Sequence, residues 1–110
     1  MERQVRDLPD SLALAYSADD VIRITQGGRK AVLLGLEGGH ALGASEEILE
    51  TLYAKGVRYV TVTHINSNSW ADASQSRPRC NGLNDRGRDL IRAMNQLGMI
   101  VDLSHTSDST

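Results

Sequence analysis

Three short apolar runs, each ending in an ionisable residue, dominate the pattern of hydrophobic and polar positions along this chain. The runs cover residues 31–36, 58–63 and 99–104, and they end at Glu37, His64 and His105. Apolar residues within a run follow one another instead of alternating with polar ones, which is typical of strands buried on both faces of a parallel sheet. The pattern therefore predicts three strands, each with an ionisable side chain at its carboxyl end.

Amphipathic helices are predicted before and between these strands. The first helix is predicted to begin at Ser17, which pairs with Asp20 as in a capping box, and to end at Gly27–Gly28. The second is predicted to run from an N-cap at Ser45 to Gly56, and the third from an N-cap at either Asn84 or Asp85 to Gly98. The predicted buried stripes are Val21, Ile22 and Ile24, then Ile48, Leu49, Leu52 and Tyr53, then Leu90, Ile91, Met94 and Leu97. Helices that alternate with strands imply crossover connections and a parallel α/β sheet.

The composition narrows the class of protein. The chain has 110 residues with 12 basic and 14 acidic side chains, a formal net charge of −2, and 40% hydrophobic residues. These values are ordinary for a soluble globular domain and exclude a disordered or collagen-like chain. A single cysteine, Cys80, excludes a disulfide scaffold, and the lack of a basic excess argues against nucleic acid as a partner.

Membrane and targeting segments are not predicted within the chain. The longest apolar run, residues 31–36, is too short to span a bilayer, and the first seven residues lack the apolar segment of a signal peptide. A cytoplasmic protein is therefore expected, unless a signal peptide precedes Met1 in a longer parent.

The candidate chemistry lies at the strand ends. In parallel α/β folds the active site lies beyond the carboxyl ends of the strands, so Glu37, His64 and His105 should meet at one edge. A carboxylate and two imidazoles are ligands that zinc and similar divalent metals prefer. Singly, each has a simpler interpretation, as a solvated glutamate or a hydrogen-bonded structural histidine. His40 lies beyond a Gly38–Gly39 turn and is not expected to be a ligand.

The polar connection between residues 65 and 83 is unusually long. Unstructured loops beyond about 12–15 residues are uncommon and often functional. Because the connection leaves the strand end that carries His64, it could cover a site there. The alternative interpretation is a tolerated surface insertion.

Several motifs around these residues, in a fixed order, resemble the renal (membrane) dipeptidase family of zinc metallopeptidases. They comprise residues 35–42 (GLEGGHAL), 52–53, 56–59 and 61–64 (TVTH), then 68–72 (NSWAD), 81–83, 87, 94–95, 97–99 and 101–105 (VDLSH). The resemblance covers most of the chain from about residue 17. It implies a (β/α)8 TIM barrel with a dinuclear zinc site at the carboxyl ends of its strands.

The resemblance also implies roles for individual residues. Glu37 resembles the glutamate that bridges both zinc ions, and His105 resembles a histidine ligand of one of them. His64 resembles the catalytic histidine that binds the substrate and stabilises the developing oxyanion. The implied function is zinc-dependent hydrolysis of dipeptides by a metal-bridging water, in a full-length parent that is a candidate homodimer.

The chain also departs from the family pattern. It lacks the His-x-Asp pair of the first barrel strand, and it ends before the next expected histidine. A complete barrel takes about 250 residues, so residues 1–110 are interpreted as a partial barrel domain with about three of the eight β/α units. The isolated chain is expected to be inactive.

Two further hypotheses stay open beside the metallodipeptidase. One is a non-catalytic fragment whose incomplete metal site gives at most weak metal binding or a subunit contact, since open strand edges can pair with other chains. The other is a different metal hydrolase on the same barrel, which the motifs at 68–72 and 81–83 disfavour.

Overall fold

The computed structural model describes residues 2–110, which divide into two compact units with the boundary between Leu34 and Gly35. The first unit contains α1 (Glu2–Asp7), β1 (Leu12–Leu14), α2 (Ala18–Gln26) and β2 (Lys30–Val32). Strands β1 and β2 pair in parallel, with Ala13 opposite Ala31. This unit is therefore a small βαβ crossover, and the sequence pattern predicted neither α1 nor β1.

Helix α2 confirms the predicted cap but not the whole predicted stripe. The Ser17 hydroxyl accepts a hydrogen bond from the backbone N–H of Asp20, at 3.1 Å, so Ser17 is the N-cap. Ile24 is buried as predicted, whereas Ile22 is 54% exposed. Residues two positions apart lie on nearly opposite sides of a helix, so Ile22 and Ile24 cannot both face the core.

The second unit contains the remaining elements, apart from Leu34, the first residue of β3, which falls in the first unit. They are β3 (Leu34–Glu37), a 3₁₀ helix (Gly39–Leu42), α3 (Glu46–Ala54), β4 (Val57–Thr61), α4 (Asp85–Leu97) and β5 (Ile100–Asp102). The strands form one sheet in the order β3-β4-β5, and β4 and β5 pair in parallel with Thr61 opposite Asp102. Ser45 and Asn84 cap α3 and α4 through their side chains, as predicted.

The first predicted strand is in fact two strands. The apolar run from residue 31 to 36 is interrupted at Leu33, so that β2 pairs with β1 and β3 pairs with β4 in a different sheet. The hydrophobic pattern could not show this interruption, because apolar residues continue across it. The described residues thus form an α/β fold with parallel pairing in two sheets, and not a closed barrel.

Burial follows the position of each strand in the sheet. The central strand β4 and the residues after it are buried on both faces, from Val60 through Thr63. Edge strand β5 leaves Ile100 55% exposed. The expectation of two-sided burial is therefore confirmed for residues 60–63 and wrong for the run at 31–36, whose residues are half-buried or exposed, and for β5.

The core lies where α3 and α4 pack on the sheet. It is formed by buried residues from both helices, from β4 and from the segments that flank it: Leu42, Leu49, Val60, Val62, Trp70, Ala71, Leu90, Met94 and Met99. Leu52, Tyr53, Ile91 and Leu97 are partly buried against this cluster, while Ile48 is 42% exposed and was wrongly placed in the stripe. None of the helices among the described residues is long and apolar enough to cross a membrane.

The connection from 65 to 83 is partly built into this core, since residues 67–68, 70–73 and 82 are buried and much of the rest is exposed. Ser67, Asn68 and Trp70 are buried, and short antiparallel bridges join Ala71 to Leu83 and Ala73 to Thr106. Buried backbone needs hydrogen-bond partners. The buried part obtains them from the side chains of Ser67, Asn68 and Asp72, while most other polar residues of the connection are exposed.

Asp72 organises the second half of the connection. Its buried carboxylate accepts hydrogen bonds from the backbone N–H groups of Arg79 (2.7 Å), Cys80 (3.0 Å) and Gly82 (2.8 Å). Burial acts to raise the pKa of Asp72, but these bonds outweigh it and hold the pKa below its ordinary value. Burial and the nearby Asp72 charge raise the pKa of the Cys80 thiol, which makes Cys80 a poor candidate nucleophile.

We expect Asp72→Ala to lower the free energy of unfolding of the full-length protein by about 2 kcal/mol at neutral pH, because it leaves the backbone N–H groups of Arg79, Cys80 and Gly82 without their acceptor. Since the fold lowers the pKa of Asp72, its stabilisation is complete above the unfolded value near 3.8 and is lost as the pH falls through the folded value. Urea unfolding from pH 7 down to pH 3 should therefore show the difference from wild type shrinking below about pH 4. Asp10→Ala, at an exposed turn, is the control, and a pH-independent difference would contradict the assignment.

Candidate metal centre

Glu37, His64 and His105 lie together at the edge of the three-stranded sheet. Glu37 is the last residue of β3, while His64 and His105 each lie three residues past the ends of β4 and β5. Within the described residues, one potential ligand atom from each side chain lies within 4.8 Å of the others. The structure therefore brings together all three residues that the sequence placed at one edge, and leaves their individual roles as predictions.

The three groups are close without being directly bonded. His64 Nε2 lies 3.7 Å from Glu37 Oε1, which is too long for a hydrogen bond. The His64 and His105 rings lie edge to face, with centroids 4.7 Å apart and planes at 80°. The Glu37 side chain is 72% exposed and the His64 side chain 40% exposed. One carboxylate and two imidazoles with accessible lone pairs fit a zinc-type metal ion.

A two-glycine turn directs the chain away from Glu37. Gly38 has φ = +85°, a conformation that side chains other than glycine rarely adopt. Gly39 is needed for another reason, because a Cβ there would lie 2.2 Å from Trp70 Cζ2. Gly38 is thus required by its backbone conformation, and Gly39 by the close approach of Trp70. His40 follows in the 3₁₀ helix, outside the cluster that Glu37 and the other histidines form.

Two side chains of the long connection, those of Asn68 and Trp70, stabilise this turn through hydrogen bonds. The Asn68 side-chain amide donates to the Val62 carbonyl at 2.8 Å, and the Trp70 indole N–H donates to the Gly39 carbonyl at 3.1 Å. The Asn68 side-chain oxygen also accepts from the N–H of Trp70, at 2.9 Å. The sequence pattern did not reveal these supports. The available signal was the chain's one tryptophan, large and apolar, within a polar segment.

Asp102 shapes the turn that leads to His105. Its carboxylate accepts from the Ser104 hydroxyl at 2.7 Å, from the Ser104 N–H at 2.9 Å, and from the Thr61 hydroxyl at 2.8 Å. These bonds, the one from the Ser104 side chain foremost, lower the pKa of Asp102. The carboxylate thus ties the end of β5 both to β4 and to its own following turn.

The comparisons with known proteins identify the family. Residues 1–110 match the sequence profile of the membrane dipeptidase family, peptidase family M19. The chain belongs to this family. Dipeptidase tcpJ of Claviceps purpurea (strain 20.1) is 44% identical over 109 residues, which are 98% of this chain and 26% of that protein.

A second sequence relative and a solved structure support the same family assignment. Dipeptidase 3 of Rattus norvegicus is 40% identical over 103 residues, 89% of this chain and 20% of the rat protein. The crystal structure of the probable dipeptidase PvdM from Pseudomonas aeruginosa superposes with a TM-score of 0.91 at 30% identity, covering 98% of this chain and 29% of that chain. The chain thus spans roughly a quarter of the length of the dipeptidases it matches.

We expect Gly39→Ala to lower the free energy of unfolding of the full-length protein by about 1–3 kcal/mol, since the added methyl group overpacks the site against Trp70. The measurement is chemical denaturation followed by Trp70 fluorescence. Gly27→Ala is the matched control, because its φ is −77° and its Cβ would meet neighbours at ordinary contact distances. Equal stability of the two variants would mean that the Trp70–Gly39 contact is not close-packed.

Proposed function

We propose that this chain forms part of the catalytic domain of a zinc metallodipeptidase that hydrolyses small dipeptides. The observation that carries the proposal is the cluster of Glu37, His64 and His105 at the strand ends, in a chain of the membrane dipeptidase family. The exposure of the Glu37 and His64 side chains, 72% and 40%, argues against purely structural roles for these two groups. Dipeptide binding follows from the names of the relatives, whereas the second metal ion and a homodimeric parent are carried over from the family resemblance alone.

A completed (β/α)8 barrel is the proposed setting. Strands β4 and β5 pair in parallel with helices between them, and the cluster lies at the carboxyl ends of the strands, where barrel enzymes have their active sites. Three donors from this chain leave coordination positions open, and no His-x-Asp pair occurs in the sequence. Further ligands are therefore proposed to come from other parts of a full-length protein.

Glu37 and His105 are the proposed metal ligands. The high exposure of the Glu37 side chain leaves both carboxylate oxygens accessible, which a glutamate needs in order to contact two ions at once. His105 offers a neutral imidazole nitrogen from the end of the neighbouring strand β5. When bound, zinc supplies polarisation of the scissile carbonyl and lowers the pKa of the attacking water.

His64 is proposed to bind the substrate. Its Nε2 lies 3.7 Å from the Glu37 carboxylate, and its ring centroid lies 4.7 Å from that of His105. An imidazole N–H at this position can donate to an oxygen that gains negative charge as the peptide bond is attacked. The same closeness makes His64 a candidate third ligand, and the two roles predict different behaviour of a His64 variant.

In the full-length protein, Glu37→Gln should abolish dipeptide hydrolysis and reduce bound zinc, because an amide is a weaker ligand than a carboxylate and carries no charge. Zinc content measured by mass spectrometry and hydrolysis measured by amine release test this. Glu50→Gln, an exposed glutamate on α3, is the matched control and should retain both properties. Unchanged zinc stoichiometry in Glu37→Gln would contradict the bridging role.

His64→Ala should keep the zinc content of wild type and lower kcat by about 10²–10³, the usual effect of removing one oxyanion donor. Zinc stoichiometry and steady-state kinetics of the full-length protein separate the two roles. His40→Ala, which removes an imidazole outside the cluster, controls for zinc content. Loss of zinc from His64→Ala alone would make His64 a ligand.

A further inference from the structure

The backbone of His105 has an uncommon conformation. Its φ is +67°, in the left-handed region that residues other than glycine rarely occupy. Such a conformation persists only where the surrounding structure determines it, and it is often found at functional sites. The direction in which the His105 imidazole leaves the chain therefore depends on the contacts that hold this peptide in place.

Two hydrogen bonds meet at the carbonyl of His105. The Thr63 hydroxyl donates to it at 3.0 Å, and the Ser74 N–H donates to it at 2.9 Å. A carbonyl oxygen has two lone pairs, so its hydrogen-bonding capacity is filled. Thr63 is completely buried, whereas Ser74 is exposed and lies beside the Ala73–Thr106 bridge.

The Thr63 hydroxyl makes the next hydrogen bond between the two strand ends, beyond the last backbone bond of their pairing. The β4–β5 register ends at Thr61 opposite Asp102, and one more backbone bond follows, from the Val62 N–H to the Asp102 carbonyl at 3.0 Å. Beyond that point, the bond from Thr63 to His105 continues the link between the two strand ends. Thr63 also directly precedes His64, so a single buried residue connects the backbones that carry both imidazoles.

We propose that Thr63 is a positioning residue of the metal centre, whose hydroxyl holds the left-handed His105 peptide and thereby sets the spacing of the His64 and His105 rings. The proposal rests on the proposed metal-binding function of His105. It assigns to Thr63 no contact with substrate or metal. Residues that orient a metal ligand through hydrogen bonds typically change metal affinity or activity by about 10–100-fold when they are removed.

The test compares Thr63→Val, which removes the hydroxyl at nearly constant volume, with Thr63→Ser, which keeps it. In the full-length protein, Thr63→Val should weaken zinc affinity, measured by competition with a chelator, by about 10–100-fold, and Thr63→Ser should restore most of it. Steady-state kinetics at saturating zinc should show kcat reduced more than KM is raised. Thr25→Val, which removes another threonine hydroxyl bonded to backbone carbonyls, is the matched control and should bind zinc as wild type does.

The outcomes separate this inference from the proposed function. If the wild-type protein neither binds zinc nor hydrolyses dipeptides, the proposed function fails. If wild type does both and Thr63→Val matches it, the positioning role fails while the function stands. Equal losses in Thr63→Ser and Thr63→Val would also overturn the role, because the hydroxyl would not be the cause. If Thr63→Val does not fold, Thr63→Ala, which also lacks the hydroxyl, takes its place against Thr63→Ser.

Discussion

The peptide groups of Val62 join the ends of all three strands in the larger sheet. The Val62 N–H donates to the Asp102 carbonyl at the end of β5, and the Val62 carbonyl accepts from the Gly39 N–H just after β3. The same carbonyl accepts from the Asn68 side chain, which belongs to the long connection. Because Val62 is completely buried, none of these bonds competes with water. The positions of Glu37, His64 and His105 all depend on this one junction.

The long connection, residues 65–83, stabilises the backbone segments that carry Glu37 and His105. A segment of that length between a strand and a helix is commonly a lid or an insertion, and both interpretations place it outside the core. Instead, Trp70 fills the space beneath the Glu37 turn, and the Ser74 N–H and the Ala73–Thr106 bridge secure the segment around His105. The high exposure of Glu37 and His105 is consistent with this, since nothing among the described residues covers them.

Local signals in the sequence predicted local structure well. Ser17, Ser45 and Asn84 are N-caps as predicted, because a cap depends on a hydrogen bond only three residues away. The errors arose where distant residues decide the outcome. No nearby residue marks the interruption of the first apolar run at Leu33, where the chain passes from one sheet to another. The burial of the polar connection likewise depends on Asn68 and Asp72, whose partners are visible only in three dimensions.

The candidate site, too, could be predicted from the sequence only in part. The meeting of three ionisable residues could be predicted, because the carboxyl ends of neighbouring parallel strands lie at the same edge of a sheet. How they meet could not, because it depends on the φ of His105 and on the hydroxyl of Thr63, a residue that reads in the sequence as an ordinary strand position.

This distribution of contacts has a consequence for how the site is assembled. The hydrogen bonds that hold Glu37, His64 and His105 near one another all join residues of the Gly35–Thr110 unit, from Gly39 and Val62 to Thr63, Asn68 and Ser74. The free-energy cost of ordering ligands on metal binding is smaller when the fold has already oriented them. Contacts within one unit of the chain thus hold Glu37, His64 and His105 in place, so their mutual geometry is determined locally. As the proposed metal centre, they would need little further ordering on binding an ion.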